Sequence, residues 1–158
     1  MGSASDRSVM QPAVDILKEL GISVEVRILS AHRTPEETAA YAREAQSRGL
    51  EVLIAGAGRA AHLPGVLAAY TLLPVIGVPV GGGPLSGLDA LYAIVQMPPG
   101  IPVATMAVDG ALNAGLFAAQ IIAAKDGAVR RRLEMYRQRL REQVKERDRQ
   151  LQKEEGEQ

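Results

Sequence analysis

Segments with the pattern of strands and segments with the pattern of helices alternate along the first 125 residues of this chain. Short apolar runs are separated by stretches in which apolar residues recur every three or four positions, the spacing of an amphipathic helix. Such alternation is typical of a parallel sheet, because parallel neighbours need a long crossover connection that is usually a helix. We therefore predict an α/β fold, a flavodoxin-like three-layer sandwich with a parallel sheet, plus a charged C-terminal helix.

The bounds of these elements follow from the apolar runs and from capping signals. Strands are predicted near residues 24–29, 51–54, 74–80 and 101–108. Helices are predicted near residues 9–20, 34–48, 86–95, 111–124 and 130–151. In the second helix, Thr34 takes the N-cap position, Pro35 takes the first helical position, and Glu37 completes a capping box.

The connection Ser30–Pro35 joins the first predicted strand to the second predicted helix. In open α/β sheets, ligands bind in the crevice beyond the carboxyl ends of the strands. Arg33 can contact phosphate through two N–H groups, Ser30 can donate its hydroxyl, and His32 can move a proton near neutral pH. These side chains suit a small anionic substrate. The simpler alternative to a substrate site is that Arg33 is a solvated loop charge and that His32 only hydrogen-bonds a neighbouring backbone group.

The composition excludes several kinds of site. The chain has no cysteine, which excludes disulfides, thiolate metal ligands and cysteine nucleophiles, and its two histidines argue against a structural zinc site. Its formal charge of zero argues against binding to nucleic acid or to a membrane surface. Without a signal-peptide pattern or an apolar run long enough to span a bilayer, the chain is expected to be soluble and cytoplasmic.

Three further segments contain glycines that would let a ligand approach the backbone. They are Met1–Asp6, Ala55–Gly65 and Gly81–Pro84. Each has a simpler explanation: helix capping by Ser5 or Asp6 in the first, a tight turn in the second, and a flexible connector in the third.

The predicted helix 111–124 is apolar around almost its whole circumference, which is typical of a helix buried on all sides. In a chain of this length a second subunit is the plausible cover, so we predict an oligomer. From Arg130 the composition becomes charged, with bases and acids at spacings that support ion pairs along a helix. We predict a domain of residues 1–128 and a charged helix with a disordered tail over residues 129–158.

The chain contains, in this order, the motifs MGSASD, SAHRTP, AGAG, AAHLPG, SGLD, VQMP and GIPV. Through these motifs it resembles the class I N5-carboxyaminoimidazole ribonucleotide mutase family of purine biosynthesis, also known as the catalytic subunit of phosphoribosylaminoimidazole carboxylase. The resemblance covers residues 1–124 and rests on the order and spacing of separated motifs.

The resemblance implies that a carboxylate moves from the exocyclic nitrogen of an imidazole ribonucleotide to a ring carbon, without a metal or organic cofactor. It implies His32 as the general acid and base. It implies that Arg33, with Ser5 and Ser30, holds the phosphate, and that Asp6 holds ribose hydroxyls. The full set of implied substrate-binding positions is Ser3, Ser5, Asp6, Ser30, Arg33, Gly56, Ala57, Gly58 and His62.

The resemblance also implies a homo-octamer that acts on a small ribonucleotide and has neither a nucleic-acid nor a membrane partner. Among the implied substrate-binding positions, Gly56, Ala57 and Gly58 would lie against the imidazole and the migrating carboxylate. His62 would be a second active-site histidine.

This sequence departs from the family in three places. The family has an interior strand that ends at the MGS motif, whereas this sequence begins at Met1, so we expect a misplaced or truncated start, or a partner segment that fills the gap. Arg59 stands where many members have glycine. The segment Gly81–Leu85 is also richer in glycine than expected.

Two other functions remain open at this point. The class II carboxylase shares the fold and uses free carbon dioxide with aminoimidazole ribonucleotide, although the AAHLP pattern favours class I. A non-catalytic module that binds a nucleotide is the alternative from a different functional class.

Overall fold

A computed structural model describes residues 1–156 as a three-stranded parallel sheet with helices on both faces. The strands are β1 (Leu53–Gly58), β2 (Val75–Val80) and β3 (Ala104–Thr105), in that spatial order. The helices are α1 (Arg7–Glu19), α2 (Pro35–Glu44), α3 (Leu63–Tyr70), α4 (Leu88–Val95), α5 (Ala111–Ala123) and α6 (Gly127–Gly156). The predicted flavodoxin-like α/β fold with a parallel sheet is confirmed.

The two faces of the sheet bury separate apolar clusters. Helices α1 and α5 pack on one face, with the start of α6 against them, while α2, α3 and α4 cover the other. Strand β2 is buried along its whole length because both of its faces are covered. At Gly77 a Cβ would lie 2.4 Å from the Cγ2 of Ile94, so only a glycine lets α4 pack this closely on the strand.

Pairing with β2 places the end of β1 later than the sequence predicts. The parallel register runs from Leu53 opposite Val75 to Gly58 opposite Val80. The segment Ala55–Gly58, predicted as the start of a loop, is therefore strand. In contrast, β3 is much shorter than the predicted strand 101–108.

The predicted strand at residues 24–29 is wrong, since this segment is not part of the sheet. At one end the backbone of this segment is hydrogen-bonded to Met1. Leu29 N–H donates to Met1 O at 3.0 Å, and the Met1 amino group donates to Arg27 O at 2.9 Å. A cavity of about 560 Å³ separates the rest of the segment from β1. Without a strand in that space, the sheet ladder does not reach residues 24–29.

Met1 and Gly2 bridge this gap at its site end. Gly2 N–H donates to Gly56 O of β1 at 3.0 Å, while Met1 bonds the opposite side. Burial lowers the pKa of the Met1 amino group, and the charge of Asp6 partly opposes that shift. Two residues thus tie residues 27–29 to β1.

The predicted capping box at α2 is also wrong, because the Thr34 side chain has another partner. Its hydroxyl accepts a hydrogen bond from Ser30 N–H at 2.9 Å and donates to Ser30 O at 3.2 Å. The N-cap position and Pro35 at the helix start agree with the prediction. Thr34 therefore closes the turn that carries His32 and Arg33 instead of capping the helix.

The last two helices are packed unequally. Helix α5 buries a face of small residues, including Ala114 and Ala118, whereas Leu112 on its outer side is 42% exposed. Helix α6 continues past its predicted end near Leu151, and of its apolar positions Leu133 is buried and Val144 exposed. The tail predicted to be disordered ends in residues 157–158, which lie outside the described residues. The division of the chain into a domain of residues 1–128 and a helix with tail of residues 129–158 stays a prediction.

No helix within the described part of the chain is both long and apolar enough to cross a membrane.

The start of α6 generates a prediction about stability. The Asp126 carboxylate accepts hydrogen bonds from Ala128 N–H at 2.7 Å and Val129 N–H at 3.1 Å, and these two backbone donors, Val129 first, lower its pKa. We expect Asp126→Ala to lower Tm at pH 7, because two amides at the helix start lose their acceptor.

The pH dependence follows from the lowered pKa. The contribution of Asp126 is complete above the pKa of an unfolded aspartate, about 3.9, and is lost as the pH falls through its lower folded pKa. Thermal melts of the variant and the parent should therefore converge in acid. Asp148→Ala, on the exposed part of the same helix, serves as the control. An equal fall in Tm for both variants would contradict the capping role.

Candidate functional site

Four connections at one edge of the sheet enclose a cavity of about 530 Å³. They are the turn before α1, the connection before α2, and the segments that follow β1 and β2. The carboxyl ends of parallel strands share an edge, so the loops after β1 and β2 open side by side. The cavity lies at the place where open α/β sheets bind ligands.

The turn before α1 forms a wall that presents hydroxyl and carboxylate oxygens. Ser3 caps a short 3-10 turn, Ala4–Asp6, and its hydroxyl accepts from Ser5 N–H at 3.3 Å. The Asp6 carboxylate accepts from Ser3 N–H at 3.0 Å and from the Ser5 hydroxyl at 3.2 Å. Asp6 is buried, so these bonds hold its carboxylate at the cavity wall. The capping that the sequence left open thus falls to Ser3, with Asp6 completing the box.

The connection before α2 presents a cation beside this wall. Arg33 N–H donates to the Ser30 hydroxyl at 3.2 Å, and the Arg33 guanidinium reaches the same hydroxyl and Gly2 O, each at 3.5 Å. These contacts are long, and Arg33 is exposed. The guanidinium therefore retains N–H donors for an anion in the cavity.

The two histidines of the chain contact each other directly. Nε2 of His32 lies 2.7 Å from Nδ1 of His62, and the ring planes are nearly perpendicular at 78°. At this distance one nitrogen donates and the other accepts, so one N–H lies between the two rings. The turn at Arg59–Ala61, closed by Ala61 N–H to Arg59 O, places His62 immediately before α3.

Small residues form the base of the cavity. Ala57 and Gly58 line it directly, at the end of β1. A Cβ at Gly58 would lie 3.3 Å from Val80 O, so a side chain there would crowd the neighbouring strand. Gly56 lies behind this lining, where a Cβ would be 2.4 Å from the Met10 sulfur.

The structure brings most of the predicted site residues together. The cavity is lined by Ser3, Ser5, Asp6, Ser30, His32, Arg33, Ala57 and Gly58. His62 joins it through His32, whereas Gly56 supports it from behind through its bond to Gly2. The sequence did not indicate the apolar walls Leu63 and Val80. Val80 could have been found as the last residue of an apolar strand, a position that faces the crevice.

The described residues contain no group of three or more His, Cys, Asp or Glu side chains arranged to hold a metal ion.

The sequence of this chain matches a known protein family. Residues 1–143 match the family model described as AIR carboxylase. The N5-carboxyaminoimidazole ribonucleotide mutase of Thermotoga maritima is 52% identical over 151 residues, which cover 96% of this chain and 88% of that protein. The protein of the same name from Mycobacterium tuberculosis is 55% identical over 153 residues, covering 97% and 88%.

Solved structures agree with this similarity. The crystal structure of Treponema denticola PurE superposes with a TM-score of 0.87 at 29% identity and covers 96% of this chain and 94% of that one. A variant of Treponema denticola PurE2 gives a TM-score of 0.88 at 28% identity, with the same coverage.

The position of Arg33 predicts its effect on anion binding. We expect Arg33→Ala to weaken the binding of ribose 5-phosphate about tenfold or more, since a hydrogen bond to a charged group contributes about 1.5–3 kcal/mol. Chemical-shift titration by NMR would measure the change. Arg147→Ala, an exposed arginine far along α6, is the control. Equal weakening in both variants would assign the effect to net charge and contradict a specific contact.

Proposed function

Since this chain belongs to the AIR carboxylase family, we propose that it is an N5-carboxyaminoimidazole ribonucleotide mutase of de novo purine biosynthesis. This isomerase converts its substrate to 4-carboxyaminoimidazole ribonucleotide. The observation that carries the proposal is one cavity that combines an anion-binding wall, a pair of histidines and a small-residue base. Relatives at 52% and 55% identity bear the mutase name, which favours this activity over the class II carboxylase.

The two ends of the cavity suit the two ends of the nucleotide. Arg33, with Ser5 and Ser30, binds the phosphate, because these side chains offer a guanidinium and hydroxyl donors on one wall. The Asp6 carboxylate accepts hydrogen bonds from ribose hydroxyls, and Ser3 holds that carboxylate in place. The imidazole then lies towards Gly58 and the histidines.

The small-residue base of the cavity leaves space in which the carbon dioxide intermediate is retained. Breaking the carbamate C–N bond returns an electron pair to the exocyclic nitrogen and releases carbon dioxide. The ring carbon must capture that molecule before it diffuses away, which requires a close, water-poor space. Ala57 and Gly58 leave room beside the ring, and the apolar Leu63 and Val80 line the same space. Gly56 contributes by fixing the Met1–Ser3 turn above it.

The reaction needs one proton to be moved and returned. The exocyclic nitrogen gains a proton when the carbamate breaks, and the ring carbon loses one after capture, so the net change is zero. His32 donates the first proton and accepts the second, which is the task of a general acid and base. Its bond to His62 holds the His32 ring in one orientation for both steps.

The test is an assay with the carbamate ribonucleotide in the presence of isotopically labelled bicarbonate. A mutase converts the substrate rapidly and incorporates label slowly, because carbon dioxide is recaptured before it exchanges. Fast conversion of aminoimidazole ribonucleotide with full incorporation of label would establish the class II carboxylase instead. Binding of the nucleotide without turnover would establish a non-catalytic module.

The His32→Asn variant tests the proton transfer. We expect turnover to be abolished, with a loss of at least the 10²–10⁴-fold that general acid–base catalysis contributes, while substrate binding is largely preserved. His62→Asn should lose less, because His32 itself remains. Kinetics give kcat, and equilibrium titration with product gives Kd. Mutase activity retained by His32→Asn would overturn the assignment of His32.

We propose further that the protein is a cytoplasmic homo-octamer. The outer side of α5 supports assembly, since it presents the exposed Leu112 and the partly buried Leu116 and Phe117 to the outside of the subunit. Covering such a patch is the usual reason for association. Sedimentation velocity should show a single large species at micromolar concentration, and Leu112→Glu should dissociate it. A stable monomer in the parent protein would remove the proposal.

A further inference from the structure

Arg59 has a backbone conformation that a residue with a side chain adopts only against a steric penalty. Its φ is +51°, in the left-handed region that favours glycine. Arg59 follows the last residue of β1 directly and lines the site cavity. Unfavourable backbone angles of this kind persist where the surrounding structure holds them, often beside ligands.

Gly83 provides the space into which the Arg59 side chain extends. A Cβ at residue 83 would lie 3.3 Å from Nε of Arg59 and 3.9 Å from its Cγ and Cζ, so the arginine lies directly over the glycine backbone. Gly83 itself has φ +72°. The side chain therefore extends from the loop after β1 to the loop after β2, across the base of the cavity.

The loop under Arg59 is tied to the domain at its start and closed by a turn after Gly83. Gly81 N–H donates to the Asp109 carboxylate at 2.7 Å, and Ser86 N–H donates to Gly83 O at 3.3 Å. The first bond ties the glycine segment to the body of the domain, and the second closes a turn within the segment. The sequence allowed a flexible connector for this glycine segment. In the structure, the backbone of Gly83 instead packs against the side chain of Arg59.

The charge of Arg59 is available to a ligand. Among residues 1–156, no Asp or Glu carboxylate lies within 4.0 Å of its guanidinium, unlike Arg48 and Arg139, which form ion pairs. The Arg33 cation belongs to the opposite wall, beside Gly2 and Ser30. The cavity thus has one exposed guanidinium on each side.

We propose that Arg59 binds a second anionic group of the ligand, the carboxylate carried by the imidazole, while Arg33 binds the phosphate. This inference rests on the proposed function, because it uses a substrate with two separated anions. It assigns Arg59 to the end of the cavity formed by Gly58, where the carboxylate leaves one atom and joins another. Such a contact holds the carboxylate before it leaves the nitrogen and again after the ring carbon has captured the carbon dioxide.

The test compares two nucleotides that differ only in the carboxylate. These are 4-carboxyaminoimidazole ribonucleotide and aminoimidazole ribonucleotide, with Kd measured by isothermal titration calorimetry. For Arg59→Gly we expect about a tenfold rise in Kd for the carboxylated nucleotide and an unchanged Kd for the other, because only the first loses a charged partner. Arg59→Lys should recover part of the difference, since it keeps the charge but loses the planar pair of donors.

Glycine is the informative replacement because it suits the backbone angle at this position. We expect the Tm of Arg59→Gly to be equal to or above that of the parent, so that lost binding cannot be assigned to unfolding. Full-length protein is used in every measurement.

Gly83→Ala is an independent variant that keeps Arg59 but puts a methyl group into the space that the Arg59 side chain occupies. Its effect on the carboxylated nucleotide should match that of Arg59→Gly, and the double variant should show no further loss, because both changes remove one contact. Gly49→Ala is the control for backbone strain, since Gly49 has φ +83° and open space around its Cβ position.

The outcomes separate the two proposals. If the parent binds both nucleotides and Arg59→Gly keeps the same ratio of Kd values, the role of Arg59 is overturned and the mutase proposal stands. An equal loss for both nucleotides would also overturn it, because the contact would not be with the carboxylate. If the parent binds neither nucleotide, the proposed function fails and this inference fails with it.

Discussion

The parallel pairing of β1 with β2 is the interaction on which the site depends. Six consecutive residue pairs, from Leu53 with Val75 to Gly58 with Val80, hold the two strands in register. A slip of one residue would exchange the side chains on the two faces and would also separate the strand ends. Because the register holds, Arg59 follows β1 at the level where Gly81–Gly83 follows β2. The small-residue base of the cavity and its second cation both result from this pairing.

The opposite wall depends on a smaller number of backbone bonds. Met1 and Gly2 connect Arg27 and Leu29 on one side to Gly56 on the other, at the end of a cavity of about 560 Å³. The wall that carries Ser3 and Asp6 starts from this bridge. The cavity wall formed by Ser3 and Asp6 is thus joined to the rest of the domain by few backbone bonds, whereas the base formed by Ala57 and Gly58 is joined to it by the full pairing of β1 with β2.

The sequence predicted local features well where one local signal decided them. The apolar run at Pro74–Val80 matched β2 closely, and the helical spacing matched α1 and α5. Three predictions failed because long-range contacts decided the outcome. The apolar segment 24–29 lacks a neighbouring strand, the hydroxyl of Thr34 bonds to Ser30 rather than capping α2, and pairing with β2 draws Gly56 and Gly58 into β1.

The sequence by itself determined the α/β class, the polar and glycine-rich loops that line the cavity, and the residue types at Asp6, His32 and Arg33, because periodicity and side-chain chemistry are local properties. Only the tertiary structure decided which loops meet. It placed Nδ1 of His62 against Nε2 of His32 across thirty residues of chain, and it set Arg59 over Gly83. These contacts depend on strand register and on backbone angles at single residues, and neither can be calculated from the pattern of apolar and polar residues.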